Sequence, residues 1–112
     1  AGELRGPIDH DARMSRVGGR AELARTVAST FLNHAATLLE PIDDALAHAD
    51  AEELHRAAHG LRAALQMVGA MRAGELAAVI ERSSLADAAR LRDRLAADVA
   101  RTTAELALLT GR

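Results

Sequence analysis

The apolar residues of this chain fall in stripes at helical spacing, and most of them are Ala and Leu, both good helix formers. β-Branched and aromatic residues, which favour strands, are scarce, and Phe31 is the one aromatic. Only two prolines, Pro7 and Pro41, interrupt the pattern. The chain therefore reads as all-α. At 112 residues it has the length of one domain, too short for two, so its helices must share one core. A bundle is the simplest such arrangement.

Local signals divide the chain. Residues 1–7, AGELRGP, show no periodicity and read as a linker remnant. Ile8 to Val17 makes a short first helix, with Asp9 or Asp11 suited to its start and Gly18-Gly19 as its stop. A second helix is expected from Arg20 to about His48, with Leu23, Val27, Phe31, Leu38, Ile42 and Ala45 on one stripe. Pro41 lies inside that stripe, so a kink or a break is expected there. Asp50 caps a third helix, Ala51 to Val68, with Glu53 placed as in a capping box and Gly69 as its stop. A fourth runs from Met71 to Ser83 with Leu76, Val79 and Ile80 inward. Ser83 or Ser84 caps a fifth, which reaches about Leu109 with Ala88, Leu95, Val99, Thr102 and Leu106 inward.

Composition excludes several kinds of chemistry. The chain has no Cys, so disulfides, iron–sulfur clusters, thiolate zinc sites and cysteine nucleophiles are absent. With one aromatic residue and a net charge of −2, it lacks both the stacking platforms and the basic field of a nucleic-acid binder. No apolar run approaches a membrane span and no signal-peptide core is present, so a cytoplasmic setting without membrane contact is expected. No Gly-rich phosphate loop is present, so no ATP site is expected. The neighbouring acids Asp43-Asp44 and Glu52-Glu53 do not face each other on a helix. They read as solvated charge and a helix N-terminus.

The third helix carries the candidate chemistry. With Leu54 at zero on the helical wheel, Ala58, Leu61, Leu65 and Val68 fall within about 40° of it and form the buried stripe. His59 falls at about 140°, Gln66 at about 120°, His55 at about 100°, Arg62 at about 80° and Ala63 at about 180°. His59 thus lies off the core, with a cation three residues on and a nearly bare position four residues on. An exposed imidazole is partly neutral at pH 7 and can act as a nucleophile. A neighbouring guanidinium favours a phosphoryl oxygen. His55 and His59 also stand at the spacing of a two-histidine metal pair, but Arg56 occupies the position of the metalloprotease Glu and no third ligand is evident. His10, His34 and His48 read as structural or solvated, with His34 near the inward stripe and partly buried.

The run His59-Gly60-Leu61-Arg62-Ala63-Ala64-Leu65-Gln66-Met67-Val68-Gly69-Ala70 resembles the signature of histidine phosphotransfer (HPt) domains of two-component phosphorelays. That signature has a His, an apolar residue at +2, Lys at +3, Gly at +4 and Gly at +10, often followed by Ala. His59, Leu61, Gly69 and Ala70 match it. The stretches IDHDARMSRVGGRAELARTVASTFL and DAEELHRAAHGL resemble the family's opening and its approach to the phosphorylated His, so the likeness spans roughly residues 8–109. It implies an antiparallel four-helix bundle with a short additional N-terminal helix, in a domain over residues 8–112.

By the same resemblance, His59 is the phosphoacceptor, Arg62 the charge partner of the phosphoryl group, and His55, Ala63 and Gln66 part of the docking surface. Glu81 stands 22 residues after His59, where the family tends to carry Gln or Glu that hydrogen-bonds the imidazole. The implied partners are receiver domains of response regulators or of a hybrid kinase, which bring the Mg²⁺. The domain itself would carry no cofactor, would not be an enzyme and would be a monomer in isolation. The N-terminal linker suggests the C-terminal module of a hybrid sensor kinase. Two positions depart from the pattern. Arg62 replaces the usual Lys in a chain whose fourteen basic residues are all Arg, and Ala63 adds a methyl group where Gly is usual. The methyl group is expected to limit transfer by bulk. It is also the feature that favours an alternative, a helical interaction module that keeps the fold and has lost transfer.

Overall fold

A computed structural model describes residues 6–111 of the chain. Among them there are six α-helices and no strand: α1 (His10–Arg16), α2 (Ala21–Asn33), α3 (Glu40–Ala47), α4 (Ala51–Met67), α5 (Met71–Glu81) and α6 (Leu85–Thr110). A single 3-10 turn, Ala35–Thr37, lies between α2 and α3. Residues 1–5 of the expected linker lie outside the described residues, and Gly6 and Pro7 are not helical.

The helix ends follow from local chemistry. Asp9, Asp50 and Ser84 each adopt an extended backbone and accept a hydrogen bond from the amide three residues on, at 3.0, 3.0 and 3.1 Å. The reciprocal half of the expected capping box is absent at α4, where the Glu53 carboxylate pairs with Arg56 and the Asp50 amide donates to the Ala45 carbonyl. Gly18 and Gly19 take positive φ and end α1.

The second helix is not one helix. It ends at Asn33, eight residues before the break expected near Pro41, and α3 restarts at Glu40 with Pro41 in its first turn. Proline is tolerated there because that amide needs no intrahelical acceptor. Its ring would clash with the carbonyl one turn back if the helix ran through, so the chain breaks upstream of the proline. The break also corrects His34, which is exposed, with its Nδ1 2.9 Å from the Thr30 carbonyl oxygen.

The helices close a ring. α4 packs against α3 and α5, α5 against α6, and α6 against α2, so the broken α2–α3 pair fills one corner of a four-membered bundle. Short turns reverse the chain between α4, α5 and α6. α6 has 26 residues, about 39 Å at the helical rise, and matches the 40 Å long axis of the molecule. Its expected stripe of Ala88, Leu95, Val99, Thr102 and Leu106 is buried throughout. Thr102 satisfies its hydroxyl on the Asp98 carbonyl at 2.9 Å. In α2 and α5 the deeply buried positions are small: Ala24, Ala28, Ala73, Gly74 and Ala77. Leu23, Val27, Leu38, Leu76 and Val79, expected inward, are only half-buried. Small residues let helix axes approach and push the larger side chains to the flanks of the contact.

α1 lies across one end of this ring. The Asp9 amide donates to the Gly69 carbonyl at 2.7 Å, and Arg13 Nη2 donates to the Ala24 carbonyl at 3.2 Å. Gly69 is held at φ +78°, and a Cβ there would lie 2.6 Å from the Asp9 carbonyl oxygen and 2.8 Å from Arg13 Cβ. The turn thus demands glycine twice over, by conformation and by space. Asp43, expected to be plain solvated charge, is instead clamped by Arg92 of α6, with Nε on Oδ1 and Nη2 on Oδ2, both at 2.8 Å. The Arg92 hydrogen bonds hold the Asp43 carboxyl below the usual carboxylate range, against a smaller opposing effect of burial. Among the described residues, no helix is long and apolar enough to cross a membrane.

Two predictions follow from these contacts. Gly69→Ala should destabilise the domain by about 1–3 kcal/mol, read as a lower urea midpoint. An unchanged midpoint would mean that α1 does not rest on that turn. For the clamp, an Asp43→Asn/Arg92→Gln double-mutant cycle should give a coupling of about 0.5–1 kcal/mol near neutral pH, since both groups are about a third or more exposed. Because the folded pKa is lowered, that coupling is present above the ordinary carboxylate pKa and fades as pH falls through the lowered value. A coupling that stays constant into acid would contradict the clamp.

Candidate functional site

α4 sets the site by its rotation. Leu54, Ala58, Leu61 and Leu65 are buried on the helix, and Val68 just past its end is buried too. That leaves His59 facing outward, with its side chain 61% exposed. Gly60 has nothing within 4 Å of where its Cβ would be, so it borders open solvent beside the histidine.

The imidazole has two different sides. Nδ1 lies 3.2 Å from Glu81 Oε2, at the C-terminal end of α5. Arg62, one turn along α4, places Nη2 3.2 Å from the same Nδ1 and Nε 3.4 Å from Glu81 Oε1. The Arg62–Glu81 contact is an ion pair whose angle falls outside that of a hydrogen bond, and both atoms are shielded from solvent. Nε2 has no protein partner among the described residues. Nδ1 cannot serve both neighbours at once. It donates to Glu81 when it carries the proton and accepts from Arg62 when it does not.

The structure thus brings together His59, Arg62 and Glu81, which the sequence separates by as many as 22 residues. Glu81 lies on α5, which packs closely on α4, with Gly74 set against Leu65 and Gln66. The guanidinium of Arg62 rests on the Nδ1 edge of the ring, not beside Nε2. His55 and Ala63 are exposed on the same helix and Gln66 is half-buried, its Cγ 3.5 Å from where a Cβ on Gly74 would lie. Among the described residues, no group of three or more His, Asp or Glu converges to hold a metal ion.

One feature has no counterpart in the sequence reading. An open apolar groove of about 390 Å³ runs between α2 and α4, lined by Val27, Phe31, Leu38, Ala64, Met67 and Val68. A second groove, touching Pro41, Ala57 and Gly60, shares Leu38 and Ala64 with it and continues it along α4. Its sequence signal was available in Met67, an exposed methionine one turn from Ala63, and in Phe31, the lone aromatic.

An imidazole with one nitrogen engaged and the other open to solvent suits a domain that carries a group on the free nitrogen. A family model described as the Hpt domain matches residues 26–105, well over half of the chain. The chain belongs to the Hpt domain family. It is a histidine phosphotransfer module of phosphorelays, a class that interacts with receiver domains, and not a kinase catalytic domain. Neither a search of curated proteins nor one of solved structures gives a match.

Proposed function

We propose that His59 takes a phosphoryl group from an aspartyl phosphate on one receiver domain and passes it to an aspartate on a second. The observation that carries this reading is the asymmetry of the imidazole: Nδ1 lies 3.2 Å from the Glu81 carboxylate, while Nε2 is open to solvent. With the proton on Nδ1, the lone pair sits on Nε2. That lone pair attacks phosphorus, the bond to the aspartate oxygen breaks, and its electron pair leaves with the carboxylate. The ring becomes an imidazolium, and Glu81 stabilises the charge through the Nδ1 proton it already accepts. The reverse sequence delivers the group to the next receiver.

The receiver supplies Mg²⁺ and most of the catalytic groups, while this domain supplies a positioned nucleophile. Phosphoryl transfer depends chiefly on positioning and electrostatics, so a site this spare is sufficient. The docking surface comprises His55, Ala63 and Gln66 and extends into the apolar grooves beside Gly60 and Ala64, which offer a receiver dry contact area. In this reading the domain works in the cytoplasm, as a monomer, with free-standing receivers or those of a hybrid kinase.

Incubation with a phosphorylated receiver should place acid-labile, base-stable phosphate on the parent domain and none on His59→Gln. The variant should keep the parent's melting temperature, since exposed substitutions typically change stability by under about 0.5 kcal/mol. Label retained by His59→Gln would move the acceptor to another residue. A folded parent that never labels would favour the alternative, an interaction module that has lost transfer.

A further inference from the structure

We propose that Arg62 is a positioning residue that competes with Glu81 for Nδ1 of His59, and so sets how much of the imidazole rests in the tautomer able to accept a phosphoryl group. The proposal rests on the reading of His59 as the phosphoacceptor. Its basis is that a donor and an acceptor stand at the same distance, 3.2 Å, from one ring nitrogen. A neutral imidazole carries one proton. On Nδ1, that proton is donated to Glu81 and Nε2 is a nucleophile. On Nε2, Nδ1 accepts from Arg62 Nη2 and no lone pair faces the solvent. Glu81 favours the competent tautomer and Arg62 the incompetent one.

The planar fork of Arg62 suits this position. Its Nε faces Glu81 Oε1 at 3.4 Å while its Nη2 faces the histidine, so one guanidinium is anchored at two points. The lysine usual in the family carries its three donors on one nitrogen, whereas the arginine spreads its donors over Nε, toward Glu81, and Nη2, toward His59.

Phosphorylation ends the competition. Attack through Nε2 leaves the proton on Nδ1 and makes the ring an imidazolium. Nδ1 then has no lone pair for Arg62, and the ring's positive charge repels the guanidinium while strengthening the bond to Glu81. Arg62 is released from the Nδ1 edge, and its charge becomes available to the new phosphoryl oxygens. One side chain thus restrains the empty site and favours the loaded one.

The test is the tautomer ratio of His59 in the unphosphorylated domain, read by NMR from the ring nitrogens of isotope-labelled protein at a pH where the imidazole is neutral. Arg62→Met keeps the aliphatic stem and removes every donor, and Arg62→Leu serves as a second form should the first misfold. The ratio of Nδ1–H to Nε2–H should rise about two- to tenfold in either variant, the range expected for one hydrogen bond near a surface. It should fall in Glu81→Ala. A ratio unchanged in a folded Arg62 variant overturns the proposal. The tautomer readout needs no receiver, so it stands apart from the labelling assay. Absent labelling with a shifted ratio would remove the phosphoacceptor reading alone, whereas normal labelling with an unshifted ratio would remove this proposal alone.

Discussion

Burial of one stripe on α4 fixes the rotation of that helix, and the rotation decides where His59 points. Leu54, Ala58 and Leu65 are fully buried and Leu61 nearly so. Each is locked between neighbouring helices, so a helical step of about 100° leaves position 59 on the far side. A helix turned by a single residue, about 100°, would carry the leucines out of the core, at a cost of about 1.5–3 kcal/mol for each apolar side chain displaced. The imidazole is held in solvent by hydrophobic packing behind it.

The second requirement is a close approach of α5. Glu81 meets His59 from α5, which buries Ala73, Gly74 and Ala77 against its neighbours. At the other end of α4, Gly69 lets α1 settle on the turn between the two helices, joined by the hydrogen bond from the Asp9 amide. The glycine ten residues after the histidine therefore has a structural task well away from the imidazole. It closes the helix pair that carries both His59 and Glu81.

How much was legible in the sequence depended on how local each signal was. The α4 and α6 stripes are long, regular and capped by Asp50 and Ser84, and every residue expected on them is buried, with Asp98 of α6 buried besides. The family motif placed His59, Arg62 and Glu81 as candidates, and the fold brings all three together. The stretch from Arg20 to His48 read as a helix kinked or broken at Pro41, not one ending at Asn33, because Phe31, Leu38 and Ile42 keep the period across the gap, and periodicity does not register a 3-10 turn between two helices in similar phase. The Asp43–Arg92 clamp joins residues 49 apart and leaves no local trace. The side of the ring on which Arg62 would rest was likewise beyond the sequence. Helical spacing brings a side chain within reach of its neighbour, and only the position of Glu81 turns the guanidinium toward Nδ1.

The chemistry of the site thus comes down to the inequality of two nitrogens on one ring. Nδ1 is held between a carboxylate and a guanidinium, and Nε2 has no protein partner among the described residues. Phosphorus NMR of the phosphorylated domain, prepared with isotope-labelled histidine nitrogens, reads that inequality directly. A one-bond coupling from phosphorus to Nε2 of His59, with the proton retained on Nδ1, is the expected result. Coupling to Nδ1, or to a nitrogen of any other histidine, would contradict the account.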